Sequence, residues 1–387
     1  MRKLIVLISC LTAATIAGAQ TIKIHFDYSN ADATLQALTP GPEGAAAIER
    51  LLSLRDTEAV VAKRAKADPK VTLETYKQTL LEARAHGTPN PDPFQWQFCI
   101  DQTPQVHTLL GNLHQHEPEI IGRVSRALAR HLDRRDHLEV TVHFVIGGVS
   151  AGWESGSTDF FVGLAFYKGD VEGVVWTMQH ELFHNAQYMG FHDQASELSR
   201  LDPDQQEVYR LLDELYREGT ATYVANLGSF PPEAPYIREM RAPAVANWGR
   251  MRDNFVLLDT LVYRLAHDRS AHFAELESLG FDWDWQNPLY YAGEAMTRTL
   301  MGKSGNLSGY LRQSPVAFAR DYTKACTPAS QCAYPLSPET VAVINAIDER
   351  LQRAPATPGG AGPRQEGKVE PDPRLRPENL PQPVSDQ

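Results

Sequence analysis

The stretch that most constrains this 387-residue chain is His180-Glu181-Leu182-Phe183-His184. It lies inside a segment, Val171 to Met189, whose pattern predicts a helix, with Asp170 as N-cap and Gly190 as the residue that stops it. Histidines four apart stand one above the other on a helical face, so both imidazoles can reach one metal ion. The glutamate beside the first histidine is rotated to the side of that pair. From there it can touch a water held by the ion without being a ligand itself. Val171, Val175, Met178, Leu182 and Met189 form one apolar stripe, and Gly173, Thr177, His180, His184 and Gln187 fall opposite. Burial of the apolar stripe would set the histidines on the wall of a cleft. The plainer alternative is a surface helix with solvated histidines.

A second long helix is predicted from Asp202 to Asn226. Asp202-Pro203-Asp204-Gln205 supplies an N-cap, a proline at the first helical position and a capping-box glutamine. Its apolar stripe is Val208, Leu211, Leu215 and Thr222, with Glu218 one turn from the last two, at the margin of the buried face. A carboxylate there needs a partner, because burying an unpaired charge is costly. A zinc ion would serve, and so would an ordinary salt bridge, for instance to Arg217. Gly219 inside a helix costs about 1 kcal/mol against alanine, which suggests the close approach of another backbone.

Taken together, His180-Glu181-x-x-His184 and the later Glu218-Gly219-Thr220-Ala221 resemble the gluzincin branch of zinc metallopeptidases. The likeness is greatest to uncharacterised bacterial families of zinc-dependent peptidases, and it covers about Phe160 to Asn226. The resemblance implies that His180, His184 and Glu218 bind one zinc ion and that Glu181 is the general base. It implies a peptide or protein as substrate. Two departures stand out. His184 and Glu218 are 34 residues apart, a longer connection than in thermolysin-like enzymes, and the Gly-Ala-Met-Glu-Asn type motif of aminopeptidase gluzincins is absent.

Residues 1–19 read as a secretory signal peptide, with Arg2-Lys3, an apolar run from Leu4 to Ile16, and Ala17-Gly18-Ala19 before the cleavage point. The run is short for a transmembrane helix, and no later segment is apolar enough to span a bilayer. The expected location is therefore periplasmic or secreted. Cys326 and Cys332, six apart, would close a small loop as a disulfide in an oxidising compartment, leaving Cys99 as a buried thiol. The formal charge of −11 becomes −13 once Arg2 and Lys3 leave with the signal. An acidic chain without a basic stripe, a phosphate loop or a dinucleotide fingerprint argues against nucleic acid and nucleotides as partners.

Thr21 to Tyr28, Leu138 to Ile146 and Asp159 to Tyr167 read as strands. Between the first two the pattern is mainly helical, broken at Pro40-Gly41-Pro42, Gly87 and Asn90 to Pro93. Gly147 to Thr158 reads as a flexible hairpin connection. In zincins a strand just before the metal helix forms the upper edge of the cleft and pairs with extended substrate. Phe161 to Ala165 is the candidate for that edge, an interior strand being the alternative. Helices are expected at Ala242–His267, Ser270–Leu279, after Asn287-Pro288, at Leu307–Cys326 and at Ser337–Gln352. Tyr290, Tyr291, Tyr223 and His267 are candidate oxyanion donors, and nothing in the sequence chooses among them.

The expected fold is α+β and mainly α-helical, a zincin-like core with a small sheet and helical lobes. The expected organisation is a signal peptide (1–19), an N-terminal helical region (20–136), a catalytic region (137–352) and a Pro/Gly-rich disordered tail (353–387). Two other functions remain open. One is a non-catalytic exported binding protein with a structural zinc or a decayed peptidase site. The other is a zinc hydrolase of a non-peptide amide. Oligomeric state cannot be read from the sequence.

Overall fold

A computed structural model describes residues 21–353 apart from 88, 148–149, 190–192, 283–285, 305 and 328–331. The signal peptide, the Gly190 stop and the C-terminal tail beyond 353 lie outside the described residues.

The chain starts with β1 (Thr21–Asp27) and continues through α1 (Ser29–Leu38), α2 (Pro42–Leu52), α3 (Arg55–Ala65), α4 (Leu73–His86), α5 (Trp96–Asp101) and α6 (Thr103–Ala129). The breaks between α1 and α2 and between α4 and α5 fall at the predicted proline and glycine punctuation, and those after α2, α3 and α5 are additional. Gly41 and Gly87 both take positive φ, 104° and 78°, and so stop or start a helix at little cost. Three strands follow, β2 (His137–Val145), β3 (Gly152–Ser155) and β4 (Asp159–Gly163). Then come α7 (Val171–Gln187), α8 (Gln194–Leu198), α9 (Pro203–Ala225), α10 (Pro235–Gly249), α11 (Met251–His267), α12 (Phe273–Phe281), α13 (Pro288–Ser304), α14 (Pro315–Ala325) and α15 (Pro338–Arg353). The fold is thus mainly helical α+β with one small mixed sheet. The single helix expected over Ala242–His267 is two, α10 and α11, broken at Arg250, where φ −113° and ψ 26° leave the helical region.

The sheet order is β1-β2-β4-β3. β1 and β4 run parallel to β2, while β3 runs antiparallel to β4. The pairing of Thr21 with His137 ties the first strand into the same sheet as the strands that lead to α7. This order corrects the expected cleft edge. Phe161 to Gly163 is interior, because β4 is paired on both sides and every residue in it is buried, and Leu164 and Ala165 have left the strand for a 3-10 turn. The edge is β3, inside the stretch read as a flexible connection. Four residues rich in Gly and Ser give no readable alternation, so only their pairing identifies them as a strand.

The sheet separates two layers. Gly152 of β3 meets Thr177 of α7 on one face, where an added Cβ would stand 3.0 Å from the threonine methyl. Side chains alternate along a strand, so Trp153 and its cross-strand partner Phe161 point to the other face, over which α3 lies. Around this sheet, α7, α9, α11, α13 and α14 contribute Val174, Leu182, Val208, Leu215, Leu258, Met296 and Phe318 to one continuous apolar core.

Among the described residues no helix is long and apolar enough to cross a membrane. Cys326 and Cys332 are joined by a disulfide, and Cys99 is a buried free thiol.

Candidate metal centre

The helix α7, which carries His180 and His184, is positioned at its first turn. The Asp170 carboxylate accepts from the Gly173 backbone N–H at 3.1 Å, capping α7, and from the Tyr236 N–H of α10 at 2.9 Å. One side chain therefore fixes the start of both helices. Gly173 permits the approach, since a Cβ there would stand 2.7 Å from Tyr236 Cβ. The predicted apolar stripe is buried at Val175, Met178 and Leu182, but the opposite face is covered as well, at Gly173, Thr177, His180, His184 and Gln187. The surface-helix alternative is overturned: α7 is an interior helix.

The helix α9 starts as its sequence predicts. Asp202 and Gln205 form the capping box, with the Asp202 backbone N–H donating to Gln205 Oε1 at 3.2 Å. Glu218 comes out buried at 6 % exposure, facing α7. Its neighbour Gly219 does mark a backbone contact, with Gly293 of α13.

Three side chains converge. His180 Nε2 lies 3.1 Å from Glu218 Oε2 and 3.2 Å from His184 Nε2, and His184 Nε2 lies 3.3 Å from Glu218 Oε1. All three residues are nine-tenths or more buried. Among the described residues the donor group has these three members and no fourth His, Cys, Asp or Glu. A closed structural shell would need four protein ligands.

The donor set can be tested for fit through Gln187. Its amide nitrogen donates to Thr220 Oγ1 at 2.8 Å and to the Arg217 carbonyl at 3.1 Å. The amide oxygen therefore faces His184 Nδ1, 2.7 Å away, and that nitrogen must carry the proton. His184 then turns Nε2 toward the other Nε2 and the carboxylate. The buried carboxylate needs a positive charge beside it, which a proton on the imidazoles supplies and a metal ion can replace, and a ligating histidine with its far N–H held by an oxygen is the usual support for one. The residues fit a divalent zinc-type ion. Sequence reasoning missed Gln187 and Thr220 in this role, although Gln187 was placed on the histidine face.

The electrostatics follow from this packing. Burial alone would raise Glu218, but the imidazoles of His184 and His180 outweigh it and hold the carboxyl well below its usual range. For His184 burial opposes protonation, yet the Glu218 carboxylate wins and lifts the imidazole to about 9. Burial raises Glu181, with His180 and His184 pulling the other way. Glu214, one turn before Glu218, is pushed up to about 7 by burial and by that carboxylate.

Of the four candidate donors, one reaches the site. The Tyr290 ring is stacked on His180, with centroids 6.1 Å apart and planes within 8°, and its hydroxyl contacts Glu218. Burial and the surrounding carboxylates raise its pKa well above the ordinary phenol value, so it stays a donor. Tyr291 instead lines a cavity with Trp176, Trp248 and Arg298, Tyr223 packs on His131, and His267 sits beside Val208 and Ile347.

Comparison with known proteins agrees with this chemistry. No curated protein and no solved structure matches the chain. Residues 48–331 match the model of one family, a span that takes in α7, α9 and strands β2 to β4 but not β1. On that match the chain belongs to the family described as "Putative zinc dependent peptidase (DUF5700)".

Proposed function

We propose that this chain is an exported zinc metallopeptidase in which His180, His184 and Glu218 hold one zinc ion and Glu181 is the general base. The observation that carries this reading is the buried three-donor group itself, in which Gln187 holds His184 Nδ1 and so aims Nε2 at His180 and Glu218. Family membership supports zinc-dependent peptide hydrolysis in general. Zinc bound there supplies a coordination position and a polarising charge for the water and the scissile carbonyl.

The chain's own residues would do the rest. Glu181 accepts the proton of the attacking water and returns it to the leaving amine nitrogen. One residue along α7 from His180, it is rotated to the side of the histidine pair and is not among the three clustered donors. Tyr290 donates from its hydroxyl to the developing oxyanion. The substrate backbone adds to the free edge of β3, replacing the interior strand as the pairing surface. Region 137–352 carries the catalytic residues, and the region before it contributes β1 to the sheet, α3 to one face and α6 against α7 on the other. The Cys326–Cys332 disulfide favours an oxidising compartment, in keeping with a cleaved leader.

The three-member donor group favours an open site over a purely structural one. A non-peptide amide hydrolase would share the site and differ in product. The test is the zinc content of the purified mature chain beside Glu218→Ala, followed by a peptide-library digest. Bound zinc lost on the substitution, with cleaved peptides in the digest, supports the proposal. No zinc after metal-replete purification overturns it.

A further inference from the structure

On the α3 face of the sheet, a second group of donors stands apart from the His180 centre. Asp27, His143, Phe161 and Trp153 occupy directly opposed positions across all four strands. The His143 imidazole stacks on Phe161 at 4.7 Å, and Phe161 stacks on Trp153 at 5.1 Å. His143 is thereby clamped, and its two nitrogens have different surroundings.

Nε2 lies 2.9 Å from Asp159 Oδ1. Asp159 is itself held by Thr158 Oγ1 at 2.7 Å and by Arg55 at 3.4 Å. An ionised carboxylate can only accept, so Nε2 carries a proton. Nδ1 faces Asp56 Oδ1 at 3.0 Å and Asp27 Oδ2 at 3.6 Å. The contact with Asp56 lacks hydrogen-bond alignment, and both His143 Nδ1 and Asp56 Oδ2 are buried without a hydrogen-bond partner among the described residues. The side chains of His143 and Asp56 are 7 % and 6 % exposed, whereas Asp27 is 35 % exposed. The three donor atoms lie within 4.8 Å of one another.

Two carboxylates facing an imidazole nitrogen in a buried place repel unless a positive charge, a proton on that nitrogen or a metal ion, sits among them. A divalent ion balances the two negative charges of Asp27 and Asp56, as Arg55 balances Asp159. One imidazole nitrogen with two carboxylate oxygens suits zinc or manganese. Asp159 on the far nitrogen is the arrangement in which a carboxylate orients a ligating histidine. The exposed side of Asp27 leaves a way in and room for water ligands.

We propose that Asp27, Asp56 and His143 form a second divalent-metal site, with Asp159 holding the far nitrogen of His143. The ion would join the first turn of α3 to the ends of β1 and β2. It lies on the sheet face opposite α7 and does not depend on the peptidase reading.

The test is zinc stoichiometry of the full chain equilibrated in chelator-buffered zinc, for the wild type, His184→Ala, His143→Ala and the double variant. The expected result is about two equivalents in the wild type, about one in each single variant, and none in the double variant. Loss of one equivalent in His143→Ala but not in His184→Ala would keep this site and sink the His180 centre. A His143→Ala count equal to wild type overturns the second site and leaves a proton in the cluster. If His143→Ala does not fold, Asp27→Asn at the half-exposed position replaces it. At least a tenfold weaker second equivalent is then expected, and unchanged affinity overturns the proposal.

Discussion

Gly219 of α9 and Gly293 of α13 stand back to back. A Cβ on Gly219 would lie 2.4 Å from Gly293 Cα, and one on Gly293 would lie 2.4 Å from the Leu215 carbonyl oxygen. The obstacles are backbone atoms, so no side-chain rotation relieves them. Gly219→Ala should force the helices apart and turn the adjacent Glu218 away from the histidines. We expect a loss of about 1–3 kcal/mol in denaturant unfolding, the usual cost of overpacking, together with weaker zinc binding. An unchanged midpoint and affinity would mean that the crossing yields to a methyl group.

Gln187→Leu keeps the size of the side chain and removes the oxygen that holds His184 Nδ1–H. Zinc affinity should fall about 10- to 100-fold, as for other outer supports of ligating histidines. Competition against a chromophoric chelator reads this directly. Equal affinity in the two proteins would remove Gln187 from the site.

Glu181→Gln should retain zinc while kcat/KM on a cleaved peptide drops by about 10²–10⁴-fold, the range general acid–base catalysis supplies. Zinc loss in this variant would make Glu181 a ligand, and full activity would make another group the base.

His131 gives a pH dependence outside the metal centre. Burial, then the neighbouring Arg130 charge, lowers its pKa from 6.5 to about 4. As pH falls below 6.5 the unfolded chain takes up a proton that the folded chain refuses. Its contribution to stability is therefore intact above pH 6.5 and eroded progressively down to about 4. His131→Phe keeps a ring between Phe183 and Tyr223 and removes the titration. Thermal melts of the variant between pH 4 and 6.5 should vary less with pH than those of the wild type. Parallel curves would refute the assignment.

What could be read from the sequence was what local geometry determines. Two histidines four apart on a capped helix, the Asp202-Pro203 start of α9 and a glycine beside Glu218 need no knowledge of distant residues. The mainly helical α+β class followed from the same periodicities. What could not be read depends on partners far along the chain. Gln187 acquires its role from the Arg217 carbonyl and Thr220, some 30 residues on. Gly293 matters only because α13 crosses α9. The edge position of β3 is a property of sheet order, which a four-residue strand of Gly, Trp, Glu and Ser does not announce. His143 looked like one more residue of a predicted strand until Asp27, Asp56 and Asp159 closed round it.

Glu218, Gly219 and Thr220 are consecutive, and a helix turns about 100° per residue. Three neighbouring side chains thus leave in three directions: toward the imidazoles, toward the α13 crossing and toward Gln187. A saturation-mutagenesis screen scored on enzyme output would return all three as equally intolerant and would suggest three ligands in a row. The failures behind that one phenotype would differ: a missing donor, a displaced helix and an unanchored imidazole. Genetic intolerance along this tripeptide would therefore report a structural junction, and only biophysical measurements on the separate variants would tell its three parts from one another.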